Sequence, residues 1–162
     1  MRNGRVRIAA LCAVAVLVLS ACSAKSASWT VQPVSGVSVA HEKGLQPTLT
    51  EIAGLKLPTK LVIKDAVVGS GPEVTAKSTV YVAYIAFVME NQQILYSSWK
   101  KGQGLNIKVA SAPYAWRVGL VGMKPGGARV IVAPPSSLGV APNSKAAKAG
   151  PILYVVNVVS VS

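Results

Sequence analysis

From residue 61 onward the chain alternates short runs of β-branched and aromatic residues with clusters of Gly, Pro and Asn, the pattern of strands joined by tight turns. These runs predict strands over residues 61–68, 79–88, 94–98, 105–109, 128–133 and 152–161. The Glu90-Asn91-Gln92 stretch makes the turn of a hairpin between the second and third strands. Lys124-Pro125-Gly126-Gly127 makes another tight turn, in which glycine supplies the backbone freedom. Only residues 115–121 carry a helical pattern, and a helix that short persists only through tertiary contacts. The predicted class is α+β, an antiparallel sheet carrying one short helix.

Upstream the pattern weakens. Residues 23–58 are rich in Ser, Gly, Pro, Thr and Lys, with isolated Val and Leu and little periodicity. Residues 23–27 read as a tether. Trp29 to Val31, Val37 to Val39 and Thr48-Leu49-Thr50 are candidates for short strands, in a stretch expected to be draped along the following domain and not to fold on its own. Whether this stretch blocks or extends a binding site is left open by its sequence.

The first residues have a different organisation. Arg2, Arg5 and Arg7 precede an apolar stretch over residues 8–19, and the small residues Ser20 and Ala21 stand before Cys22. Charged, apolar and small-residue parts in that order form a secretory signal. The apolar stretch is well short of the roughly 20 residues a spanning helix needs, and no second run of its kind follows. Leu19-Ser20-Ala21-Cys22 resembles the lipobox of bacterial lipoproteins. That resemblance implies cleavage before Cys22, lipid on its thiol, and attachment to the outer face of a membrane through this lipid. The expected organisation is a signal peptide over residues 1–21, a lipidated tether and irregular segment over 22–60, and one compact domain over 61–162. Cys12 leaves with the signal, so the mature domain has no internal disulfide and is held by packing alone.

Charge and chemistry narrow the function. Of the formal net charge of +12, three charges belong to Arg2, Arg5 and Arg7, which leaves nine on the mature chain. An exported protein does not normally meet nucleic acid. The excess therefore suits anionic head groups or acidic cell-wall polymers, or is a solvated basic surface. His41 is the only histidine; it sits in a polar stretch and is expected to be solvated. No metal-ligand signature remains, no cofactor is expected, and Ser-His-Asp or Cys-His catalysis is excluded.

The run from Leu61 to Gly71 followed by Thr79-Val80-Tyr81-Val82-Ala83-Tyr84 resembles the opening of an FKBP-type peptidyl-prolyl isomerase domain, a strand ending in Gly-x-Gly and a second strand carrying Tyr. Leu95-Tyr96-Ser97-Ser98 resembles the family's Phe-Asp-Ser-Ser. Trp116 with Gly119-Leu120 and Met123 resembles Gly-Trp-x-x-Gly-Leu-x-x-Met. Gly126-Gly127-Ala128-Arg129 precedes a strand ending in Pro134-Pro135, and the run from Ile152 to Val161 resembles the closing strand. The pieces stand in the family's order over residues 61–161.

The resemblance implies a half-open antiparallel sheet wrapped around one short helix, with a shallow apolar bowl between them. By position Tyr84, Tyr96, Trp116 and Tyr154 would be its catalytic residues, with Trp116 as the floor. Leu95, Ile107, Ala112, Pro113 and Leu138 would line the rest. Rotation about an X-Pro bond breaks no covalent bond, and its barrier comes largely from amide resonance. A site that removes water and favours the twisted amide therefore needs no nucleophile.

The chain departs from the family where polar contacts are made. Tyr96 replaces the aspartate, Leu95 the phenylalanine, Ala112-Pro113 a Val-Ile pair, Ala115 a glycine, and Leu138 the tyrosine of the long loop. Residues 136–150 carry Lys145 and Lys148 among small residues, which implies an open, basic mouth and weak macrolide binding. The expectation is a monomeric isomerase on the outer face of a bacterial cell membrane, acting on proline-containing segments of exported proteins. Two alternatives are a catalytically weak or inactive FKBP-like module that holds peptides as a chaperone, and an envelope protein whose basic surface binds anionic polymer.

Overall fold

The computed structural model describes residues 28–42, 45–52, 54–99 and 104–162. The leader, the cleavage site, Cys22 and the tether lie outside the described residues.

Three strands come first: β1 (Trp29–Val34), β2 (Val37–His41) and β3 (Thr48–Ile52), an antiparallel meander in the order β1-β2-β3. They stand where short strands were candidates, and they make an ordered layer in a stretch expected to be irregular. A larger antiparallel sheet follows, built from β4 (Val62–Val67), β5 (Thr79–Val88), β6 (Ile94–Ser97), β7 (Leu105–Lys108), β8 (Ala128–Ala133) and β9 (Ile152–Val161). Its order is β4-β8-β9-β5-β6, and β7 pairs with the first half of β5. Helix α1 (Tyr114–Leu120) crosses the front of this sheet, and a single turn, α2 (Lys145–Lys148), lies in the loop before β9. The α+β class, with a mostly antiparallel sheet and one short crossing helix, is the one expected; α2 was not.

Alternation along β5, β8 and β9 sorts side chains to two faces. On the front, Val80, Val82, Ile131, Val156 and Val158 pack with Trp116, Leu120 and Met123 from α1 and its exit. On the back, Ile85, Phe87, Met89, Val130, Val132, Leu153 and Val155 pack against Val31, Val34, Val37 and Val39 of β1 and β2. The meander therefore covers the face opposite the helix and leaves the helix side open. Ser97 Oγ donates to Gln46 Oε1 at 3.0 Å, which ties β6 to the same layer.

His41 is not solvated. It closes β2 at 3% exposure, between the rings of Trp29 (centroids 5.3 Å apart) and Trp99 (6.3 Å). Burial drives its pKa below the ordinary 6.5, with a backbone hydrogen bond at Leu45 opposing.

Helix α1 is too short to be stable alone, and its exit is clamped. Arg129 Nη1 donates to the Gly119 carbonyl at 2.8 Å and the Val121 carbonyl at 2.9 Å, while Nε donates to Asp65 Oδ1 at 2.6 Å across the β4–β8 pair. A cation on the last carbonyls satisfies acceptors that no helical N–H reaches. Gly122, at φ +82°, then turns the chain away.

Candidate active site

Three elements bring three rings together on the open side. Strand β5 presents Tyr84, whose backbone is held on both sides by Ser98: its N–H donates to Ser98 Oγ at 2.9 Å, and the Ser98 N–H donates to its carbonyl at 3.0 Å. Strand β9 presents Tyr154, opposite Ala86 in the register. The first turn of α1 presents Trp116, which is almost fully buried. Trp116 meets Tyr84 edge-on at 4.8 Å between centroids and Tyr154 edge-on at 5.4 Å. The geometry suits aromatic quadrupoles, which prefer edge-to-face contacts.

These rings bound an open cavity of about 400 Å³, with Ile107, Ala112 and Pro113 on the facing wall and Asn106, Lys108 and Ser111 adding polar groups. A 3-10 turn over Val109–Ser111 carries the chain from β7 to the helix, its first N–H donating to the Ser78 carbonyl at 3.0 Å. The polar residues were not singled out in the sequence. Asn106 and Lys108 have neighbours of both characters in a four-residue strand, and nothing in that alternation says which side meets the cavity.

Six of the nine expected residues surround this cavity: Tyr84, Ile107, Ala112, Pro113, Trp116 and Tyr154. Tyr96 lies outside it, stacked on Tyr84 at 4.7 Å. Leu95 is elsewhere. It is 49% exposed and faces a separate groove with Val88 and Lys148, while Tyr96 takes the position against Tyr84. Leu138 does not reach the cavity either. At 5% exposure it packs with Ala86, Val88, Ala115, Ala133 and Ile152, as an apolar side chain without a polar tip is driven to do.

Burial, then the neighbouring Tyr96 and Tyr154, push the Tyr84 hydroxyl up to about 12. Burial also raises Tyr154, against a hydrogen bond from the Trp116 side chain. Both hydroxyls therefore keep their protons at neutral pH and are donors. Aromatic walls that exclude water, with hydroxyl donors at their edge, can favour a twisted amide over a planar one. Among the described residues no group of three or more His, Cys, Asp or Glu could hold a metal ion.

The arrangement has relatives. The sequence model of the FKBP-type peptidyl-prolyl cis-trans isomerases matches residues 71–156. A probable FK506-binding protein of Corynebacterium glutamicum is 35% identical over 80 residues, covering 49% of this chain and 68% of that protein. An FK506-binding protein of Streptomyces anulatus is 31% identical over 86 residues, covering 52% and 69%. Among solved structures, the putative peptidyl prolyl cis-trans isomerase FKBP12 of Mycobacterium tuberculosis is similar with a TM-score of 0.51 and 31% identity, over 65% of this chain and 86% of that one. The family match begins after the β1–β3 layer and spans β5 to β9 up to Val156, with α1 and every ring of the cavity. On that match, over more than half of its length and in the order its motifs run, the chain belongs to the FKBP-type peptidyl-prolyl cis-trans isomerase family.

Proposed function

We propose that this protein speeds cis/trans isomerisation of X-Pro bonds in exported polypeptides at the outer face of a bacterial membrane, held there as a monomer by lipid on Cys22. Uncatalysed isomerisation takes tens to hundreds of seconds and delays folding. The observation that carries the reading is the open cavity walled by Tyr84, Trp116 and Tyr154, in a chain of the isomerase family. Support for the location comes from the order of charge, apolar stretch, small residues and Cys22.

The test is cis-to-trans isomerisation of X-Pro peptides by the full chain purified in detergent, beside Trp116→Phe. Acceleration that drops in the variant, with unfolding still cooperative, supports a working cavity; no acceleration by folded wild type overturns it. For the anchor, mass spectrometry of the membrane-bound protein should find Cys22 as its first residue with lipid on the thiol, and an unmodified Cys22 would refute lipid attachment.

A second reading is favoured by Tyr96, which stacks on Tyr84 where the family's motif has aspartate. An aromatic surface lacking that carboxylate suits holding a proline ring more than turning it over. Peptide binding without acceleration would select this reading.

A further inference from the structure

The front of the sheet continues past the aromatic cavity. Strand β5 carries Tyr84 at the cavity and, four residues on, Val88 at the wall of a second and larger hollow of about 710 Å³. This hollow lies between the β5–β6 turn and α2. Leu95 and Ala149 extend its apolar wall, Lys145 and Lys148 stand on the α2 side, and Glu90 stands on the turn. One cluster joins the two places: Ala86, Val88, Leu138 and Ile152 pack with Tyr84, Tyr154, Tyr96 and Ala149. The two hollows are distinct and lie over this shared buried packing.

The spacing fits an extended chain. Four strand residues at about 3.3 Å each put Val88 roughly 13 Å from Tyr84, a distance an extended polypeptide covers in about four residues. The charges are unbalanced, two lysines to one glutamate, and neither lysine is paired with an acid among the described residues. Such cations beside an exposed leucine suit a carboxylate on an aliphatic stem.

We infer that this groove is a second subsite for the client chain and takes an acidic side chain three to five residues from the proline, on one side of it. The inference rests on the reading of the aromatic cavity as the proline site.

The test uses the full chain in detergent and X-Pro peptides in which one Glu is moved through positions three to five residues before and after the proline, with Gln as the neutral control. Glu at the matching positions on one side should lower KM about twofold to fivefold, the scale of two exposed ion pairs, with kcat unchanged. K145A/K148A should remove the preference, and K145E/K148E should transfer it to Lys-bearing peptides, while Gln peptides turn over as before. Equal Glu and Gln kinetics everywhere would overturn the subsite and leave the cavity reading standing. An equal gain at every position would overturn it too, since that is long-range steering by net charge. Gln peptides neither bound nor isomerised would sink the cavity reading, and the subsite with it.

Discussion

Tyr96 lies almost flat on Tyr84, with ring centroids 4.7 Å apart and planes 20° from parallel, and Tyr84 in turn meets Trp116 nearly at right angles. Tyr96 thus acts on the cavity through Tyr84. It holds that phenol against the floor.

Removing the stack should therefore cost turnover more than fold. An offset aromatic pair contributes about 0.5–1.5 kcal/mol beyond its buried area, so Tyr96→Ala should lower kcat/KM roughly twofold to tenfold. Tyr96→Phe keeps the stack and should recover most of that loss. Peptide isomerisation assays on the two variants decide it, and equal activity in wild type and Tyr96→Ala would refute the role.

The helix clamp should be lopsided. Arg129 is 11% exposed and holds two helix-end carbonyls, whereas Asp65 is half exposed. Replacing Arg129 by Met leaves those carbonyls without a donor and should cost about 2–4 kcal/mol, while Asp65→Asn removes a screened pair and should cost less than about 1 kcal/mol. Urea midpoints of the two variants report the difference.

Stability should fall at both ends of the pH range. Burial holds His41 below 6.5, so the unfolded chain takes up this proton more readily. The stability that neutral His41 contributes is whole above about pH 6.5 and is lost as pH falls through its lower folded value. Tyr84 is raised from 10.0 to about 12, so its contribution is whole below about pH 10 and is lost as pH rises through about 12. Urea midpoints should be level between about pH 7 and 10, and His41→Phe should flatten the acid side.

Gly119 sits where α1 comes closest to the sheet. A Cβ there would fall on Cδ1 of Ile131. Gly119→Ala gains helix propensity but overpacks the core, with a net loss of about 1–2 kcal/mol. Ile131→Val removes the colliding methyl, so the double variant should be more stable than the sum of the single changes implies. Strict additivity in thermal melts would contradict this.

Much of the sheet was legible because its strands are long and strongly patterned. β5, β8 and β9 match their expected limits, and α1 begins one residue early. A further signal went unused: Thr79–Val88 and Ile152–Val161 are apolar almost throughout, as strands covered on both faces are, and this pointed to a layer behind the sheet. The burial of His41 was not legible, since it depends on Trp29 and Trp99 arriving from distant parts of the chain. Leu138 and Leu95 were misplaced for a related reason. Position in a motif gives order along the chain, while packing decides which way a side chain points.

Strand β9 sends Leu153 and Val155 into one core and Val156 and Val158 into the other. The layer over the back and the helix over the front therefore share β9, as they share β5 and β8 on either side of it. Neither has its full seat until β9 has taken its place between β5 and β8. A chain synthesised from its N-terminus has its docking strands β1 and β2 before the platform that seats them is finished. Both cores are complete only with β9 paired between β5 and β8.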